Sequence, residues 1–174
     1  RGNAETLLDP DMPPELRARF CEMIMAECDR LTRLANDLLE LQHIEESDIS
    51  LGRVNLRTIA DQVCHTLAPL FEDRGIEVTV SGEAPDILGD KDRITQVMVN
   101  LLENATRFAD SAVKVELSGM RDHSIITISD DGPGFGDTDP SRLFARFYRG
   151  DKSRSSATGG TGLGLAIVKS IVEA

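Results

Sequence analysis

Residues 15–47 contain no glycine or proline, and their apolar positions Leu16, Phe20, Met23, Leu31, Leu34, Leu38, Leu41 and Ile44 recur mostly at steps of three or four. That spacing lays a single stripe along an α-helix, interrupted at Glu27. Pro13 and Pro14 stand where such a helix begins, because proline's fixed φ and missing N–H are tolerated in a first turn. A helix of roughly thirty residues is about 45 Å long at a rise of about 1.5 Å per residue. This exceeds the width of a small domain, so the pattern predicts a bundle helix that packs against other long helices, of the same chain or of a second copy. Residues 1–9 read as the tail of a preceding helix, closed by Asp9-Pro10-Asp11-Met12-Pro13-Pro14. They would be the truncated first arm of a helical hairpin.

After Ser47 the polar segment to Arg53 reads as a hinge, and the pattern changes to shorter, alternating elements. Residues 56–71 carry helical periodicity, and residues 76–80 alternate as a strand. Asp90 is placed to cap a helix running to Phe108 whose inward face would include Ile94, Val97, Met98, Leu101 and Leu102. Residues 113–117 and 124–129 read as a strand pair near hairpin length, and residues 163–172 as a final helix. The order predicts an α+β fold: a two-layer sandwich of helices and sheet over residues 54–174, preceded by a partial helical hairpin over residues 1–50.

Composition narrows the function classes. With 28% charged and 40% hydrophobic residues the chain has enough apolar content to fold, and with 4% aromatics and no tryptophan its core must be aliphatic. A net charge of -11 argues against a nucleic-acid partner, which calls for a basic surface. Cys21, Cys28 and Cys64 lack zinc-like spacing and read as reduced thiols. No apolar run approaches the ~18 to 20 residues that span a bilayer, and no signal peptide is visible, so a cytoplasmic location is expected, with membrane anchoring left open for a longer parent.

Three polar and glycine motifs remain. Asn100 and Asn104 lie four apart on the helix capped by Asp90, so both amides project from one face, where neutral oxygen ligands suit Mg²⁺ beside phosphate. Arg107 falls on nearly the same face and could meet a phosphate, while Phe108 could pack near a base or sugar; the plainer alternative is a solvated helix face. Asp130 enters the turn Gly132-Pro133-Gly134, and a carboxylate there accepts hydrogen bonds, which suits the amino group of adenine. The alternative is local closure of the turn by Asp130 or Asp131. Residues 135–160 are polar and small around Phe144, Phe147 and Tyr148, with Arg146, Arg149, Lys152 and Arg154 as basic points, a composition expected of a disordered loop or of a lid attracted to phosphates. Gly160-Thr161-Gly162-Leu163-Gly164 then opens the final helix, where backbone N–H groups can receive an anion; it lacks the lysine of a P-loop.

Taken together, these residues resemble the catalytic and ATP-binding domain of bacterial two-component sensor histidine kinases, within the wider ATPase group that includes gyrase, mismatch-repair and heat-shock chaperone ATPases. Residues 96–105 resemble that family's asparagine box, 130–135 its first glycine box, 143–149 its phenylalanine box and 160–165 its second glycine box. The resemblance implies ATP and Mg²⁺ as cofactors, with Asn104 and Asn100 toward the metal. It places Arg107, Phe108, Asp130, Gly132, Gly134, Arg146, Arg149, Gly160, Thr161, Gly162, Leu163 and Gly164 around the nucleotide, and an ATP lid over about residues 135–160. Arg107 stands where the family commonly has lysine and Phe108 where it commonly has tyrosine. The helix over 15–47 resembles the second helix of the dimerisation and phosphotransfer hairpin, which forms a four-helix bundle in a homodimer.

The family's phosphoacceptor histidine lies upstream of this sequence, and His43, His65 and His123 do not match its motif. Related ATP-hydrolysing enzymes carry a glutamate four residues before the metal-binding asparagine. That place is Asn100 here, an amide without basicity, so the resemblance favours phosphoryl transfer over hydrolysis. It implies an ATP-dependent histidine kinase core relaying phosphate to an aspartate of a response regulator receiver domain. The alternatives are a non-catalytic, kinase-like dimeric scaffold that regulates a partner kinase, and a serine-directed kinase of the anti-sigma type, against which the long helix speaks.

Overall fold

The structure, a computed structural model, describes residues 12–46, 48–120, 123–136, 139–149 and 160–174. The expected first arm of the hairpin, residues 1–9, lies outside the described residues. The first element, α1 (Pro14–Glu46), is one uninterrupted helix starting at the second proline. It is followed by β1 (Gly52–Val54), α2 (Leu56–Arg74), β2 (Glu77–Gly82), β3 (Ile87–Gly89), α3 (Lys91–Phe108), β4 (Ala112–Met120), β5 (His123–Asp130), a single turn α4 (Pro140–Leu143) and α5 (Gly164–Glu173).

Local chemistry sets the helix starts. Asn55 caps α2, its side chain accepting from the Thr58 N–H at 2.9 Å. Asp90 caps α3, as its position promised, accepting from the N–H groups of Asp92 and Arg93 at 3.0 and 3.1 Å. Its other oxygen accepts from the Ser50 N–H at 2.9 Å, which ties the connection after α1 to the start of α3.

The sheet has the order β2-β4-β5, with β2 parallel and β5 antiparallel to β4. On β4, Val113, Val115 and Leu117 are buried while Lys114, Glu116 and Ser118 are exposed, so one face meets the core and the other meets water. Ile59, Ala60 and Val63 of α2 and Met98, Leu102 and Ala105 of α3 complete that core. The architecture is therefore the expected two-layer α+β arrangement. Of the inward residues expected on α3, Met98 and Leu102 are fully buried, whereas Ile94, Val97 and Leu101 are half-buried. This helix is shared between the sheet and α5, so its apolar surface extends beyond one face.

Two expectations needed adjustment. Residues 52 and 53, read as hinge, belong to a strand: β1 pairs antiparallel with β3 through Gly52↔Gly89, Arg53↔Leu88 and Val54↔Ile87. Strands of three residues carry too little alternation to register in the sequence, and this pair is held in addition by Asp86, which takes a 2.8 Å ion pair from Arg53 and a 2.7 Å hydrogen bond from Asn55. The segment after residue 135 is also not featureless, because Asp139 caps the turn α4 by accepting from the Ser141 N–H at 2.9 Å.

The stripe on α1 is divided. Leu41 and Ile44 are buried against Leu163 and Ile167 of the α5 segment, with Leu34 and Ile171 at the margin. Arg93 of α3 donates from Nη2 to the Ile44 carbonyl at 3.2 Å. Nearer the start of the helix, Leu16, Met23, Leu31 and Leu38 are exposed. Only the last turns of α1 thus pack on the α+β unit.

Candidate functional site

Helix α3 carries Asn100, Asn104, Arg107 and Phe108 on its last two and a half turns, and two glycine segments close on it from either side. Asn100 is fixed by a hydrogen bond from Nδ2 to the Gln96 carbonyl at 3.1 Å. A Cβ added to Gly164, the first residue of α5, would lie 3.0 Å from Asn100 Oδ1, so a side chain there would crowd the amide. Four residues earlier, buried Gly160 rests against the Arg107 guanidinium, and any side chain at that position would collide with Nη1. Thr161 Oγ1 accepts from the Leu163 N–H at 3.3 Å, and Leu163 is fully buried at the start of α5 without a side-chain cap of its own. The amide groups of this helix start are therefore presented beside Asn100 and Arg107.

The other segment follows β5. Asp131 accepts from the N–H groups of Asp110, Ser111 and Ala112 at 2.9 to 3.0 Å and from the Ser111 hydroxyl at 2.6 Å. These bonds draw the turn onto the end of α3, so close that a Cβ at Gly132 would run into the Phe108 carbonyl. Asp130 is exposed at the end of β5; its Oδ1 accepts from the Gly132 N–H at 3.0 Å, and among the described residues no hydrogen bond engages Oδ2. Both aspartates close the turn locally, the plainer reading of the motif, and for Asp130 that uses one oxygen of two. Gly134 has a φ of +64°, in the left-handed region.

Between the two glycine segments, Phe147 adopts a φ of 63°, rare for a bulky residue, and donates its N–H to the Gly162 carbonyl at 2.9 Å. A Cβ at Gly162 would lie 2.9 Å from the Phe147 carbonyl carbon. Phe144 and Phe147 are exposed, while Tyr148 is half-buried with the Arg142 guanidinium 5.2 Å from its ring centroid. Arg146 is exposed and Arg149 half-buried; Lys152 and Arg154 lie outside the described residues, as does the lid between 150 and 159.

Arg107 is the electrostatic focus. Burial, foremost, lowers its pKa, and the neighbouring cations Arg74, Arg33 and Arg149 act in the same direction; Glu103 opposes them. Among the described residues no hydrogen bond engages its guanidinium. A partly desolvated cation among like charges is stabilised by an anion, and this one faces the open start of α5.

Asp131 shows the reverse effect. The Ser111 hydroxyl and the backbone N–H groups of Ser111, Ala112 and Asp110 hold its carboxyl well below the usual carboxylate range. Because the folded pKa lies below an unfolded value of about 3.9, its contribution to stability is complete above that pH and is lost as pH falls toward the folded pKa. Asp131→Asn is expected to lower stability at neutral pH and to flatten the acid limb of the stability curve below about pH 4. Urea unfolding across a pH series measures this; a mutant with the parent's acid slope would show that the carboxylate is not the pin.

The structure thus gathers Asn100, Arg107, Gly160 and Gly164 on one side and Phe108, Asp130 and Gly132 on the other, with half-buried Asn104 between them on α3. Arg74 was not expected near this place. It comes from α2, and no local motif marks it.

Residues 89–174 match the family model described as histidine kinase-, DNA gyrase B- and HSP90-like ATPase. The chain carries the catalytic domain of a bacterial two-component sensor histidine kinase. It is similar to the signal transduction histidine-protein kinase BaeS of Escherichia coli, with 38% identity covering 100% of this chain and 38% of that protein. It is also similar to the sensor protein SphS of Synechococcus elongatus, with 39% identity covering 89% of this chain and 40% of that protein. It therefore spans about two fifths of the length of these relatives. Among solved structures, the full-length ShkA complex with AMPPNP superposes with a TM-score of 0.69 and 28% identity, covering 98% of this chain and 36% of that one. The Acinetobacter baumannii histidine kinase AdeS shares the fold at a TM-score of 0.71 and 22% identity, covering 99% of this chain and 80% of that one. His43, His65 and His123 are all exposed in this histidine kinase domain.

Proposed function

We propose that this histidine kinase domain binds ATP with Mg²⁺ between α3 and its two glycine segments and positions the γ-phosphate for transfer to a histidine of the dimerisation hairpin, for relay to a response regulator aspartate. The observation that carries this reading is Arg107, a cation partly withdrawn from water and pressed against Gly160, four residues before the start of α5. Asp130 Oδ2 would accept from the adenine amino group, and Gly132 and Gly134 would keep the turn free of side chains near the base. Phe108 would pack near the base or sugar. Gly160, Thr161, Gly162, Leu163 and Gly164 would bring backbone N–H groups to the phosphates, with Arg107, Arg146 and Arg149 supplying charge. Bound Mg²⁺ would neutralise phosphate charge, and Asn104 and Asn100 are its candidate protein ligands. Among the described residues no group of three or more His, Cys, Asp or Glu could hold a metal ion.

The exposed apolar stripe on α1 supports homodimerisation through the hairpin. Among the described residues no helix is long and apolar enough to cross a membrane; a cytoplasmic location is proposed from the likeness to sensor kinases.

Titration calorimetry with AMPPNP and Mg²⁺ tests the binding step. Asn104→Ala is expected to weaken Mg²⁺-dependent binding by about tenfold or more, and to matter little when Mg²⁺ is omitted. Absence of binding by the parent protein would favour a non-catalytic scaffold. Restoring the upstream helix should yield acid-labile, base-stable phosphate on protein incubated with ATP.

A further inference from the structure

Leu163 is fully buried among Leu41, Ile44 and Ile167, so packing fixes the second glycine segment at its downstream end. Upstream of Leu163, among the described residues, the backbone hydrogen bond that reaches the segment from elsewhere is the one from the Phe147 N–H to the Gly162 carbonyl at 2.9 Å. Gly162, with a φ of +77°, is in close contact with that partner: an added Cβ would stand 2.9 Å from the Phe147 carbonyl carbon and 3.0 Å from the Tyr148 carbonyl oxygen. Gly160, which meets the Arg107 guanidinium, is only two residues away. The seat of the segment on α3 therefore depends on this junction.

Phe147 makes its half of the junction from an unfavourable backbone. Residues 145–148 form a β-turn closed by the Tyr148 N–H on the Ala145 carbonyl at 3.1 Å, and of the two central residues only Phe147, the second, has a positive φ. That is the type II pattern, in which this position favours glycine. A residue with a Cβ adopts it about tenfold less readily. Burial does not compensate, because Phe147 is 57% exposed. The type I turn has the same closing bond and a negative φ at both central residues. The two differ by a half-turn of the central peptide, and that peptide carries the N–H that Phe147 donates. After the flip the Arg146 carbonyl would face the Gly162 carbonyl, acceptor against acceptor.

We propose that the Arg146–Phe147 peptide is a two-position switch and Phe147 a positioning residue of the nucleotide site: in the observed position its N–H seats residues 160–164 against Arg107 and Asn100, and in the flipped position it releases them. The inference rests on the nucleotide reading above and adds to it the element that decides whether the phosphate side is formed. A triphosphate binds the seated segment and selects the strained turn; adenosine, which lacks phosphate, is indifferent to it.

Calorimetry with Mg²⁺–AMPPNP and with adenosine, on the parent chain and four variants, tests this, with thermal melts to confirm folding. AMPPNP affinity is expected to follow the ease of a positive φ. Phe147→Gly should bind tightest, about tenfold above Phe147→Ala, with Phe147→Asn between them, Phe147→Val weakest and adenosine affinity the same in all. Equal AMPPNP affinity in the glycine and alanine variants would overturn the proposal, as would a loss common to every variant, which would assign the role to the ring. The same ranking for adenosine would also overturn it, by making the turn a general support of the fold. Amide exchange of the parent gives an answer even where a variant does not fold: the Phe147 N–H should gain protection with AMPPNP, and equal protection with and without it would show a turn with one position. Failure of the parent to bind either probe removes the nucleotide reading and this inference together.

Discussion

Replacing Asp130 with asparagine is expected to weaken binding of adenine nucleotides by about thirty- to hundredfold, the loss of a charge-assisted hydrogen bond aggravated by an opposed donor. In the structure one carboxylate oxygen accepts from the Gly132 N–H and the other is available. Asparagine keeps an acceptor for Gly132, so the turn should persist. Its amide nitrogen would then face the adenine amino group, donor against donor. Alanine at the same place removes both acceptors, and the difference between the two variants measures how much of the effect belongs to the turn. Competition of ATP against GTP by calorimetry, with thermal melts to confirm folding, provides the readout. Undiminished ATP binding and unchanged preference for adenine in Asp130→Asn would show that the base is recognised elsewhere.

Gly132→Ala is expected to remove about 2–4 kcal/mol of folding stability and to abolish nucleotide binding together with it. The added carbon would collide with the Phe108 carbonyl and approach Asp130 Oδ1 to 2.8 Å. The Phe108 carbonyl is backbone at the end of a packed helix, unable to rotate aside as a side chain would. The turn would have to retreat from α3, which strains the Asp131 bonds to Asp110, Ser111 and Ala112. Gly134→Ala serves as the comparison: nothing lies within 4 Å of its added carbon, but its φ of +64° costs about 1–2 kcal/mol for any other residue. Urea unfolding of the three proteins decides the matter. A Gly132→Ala protein as stable as the parent would contradict the close approach of turn and helix.

Much of this molecule could be read before its coordinates. The long apolar stripe, free of glycine and proline, required the long helix, and Asp90 marked the start of α3 because an aspartate one residue before a helix satisfies amide groups that have no partner within the helix. The three motifs pointed to the nucleotide pocket proposed above because glycine, asparagine and aspartate each have a local reason to stand where a ligand comes close. The short strands β1 and β3 escaped notice, since three residues cannot display a period. The parallel pairing of β2 with β4 was equally hidden: it depends on a crossover through α3 whose outcome is fixed by packing.

By itself the sequence determined the longer elements, the cap at Asp90 and the residue types of the candidate site, because those follow from periodicity and from hydrogen-bonding capacity over a few residues. Tertiary structure alone decided which glycine meets which side chain, that Asp131 and not only Asp130 holds the turn, and that Arg74 of α2 donates to the Arg107 carbonyl at the end of α3. Burial and like-charge repulsion act through space, and no local pattern of residues encodes which distant guanidinium groups a fold will bring together.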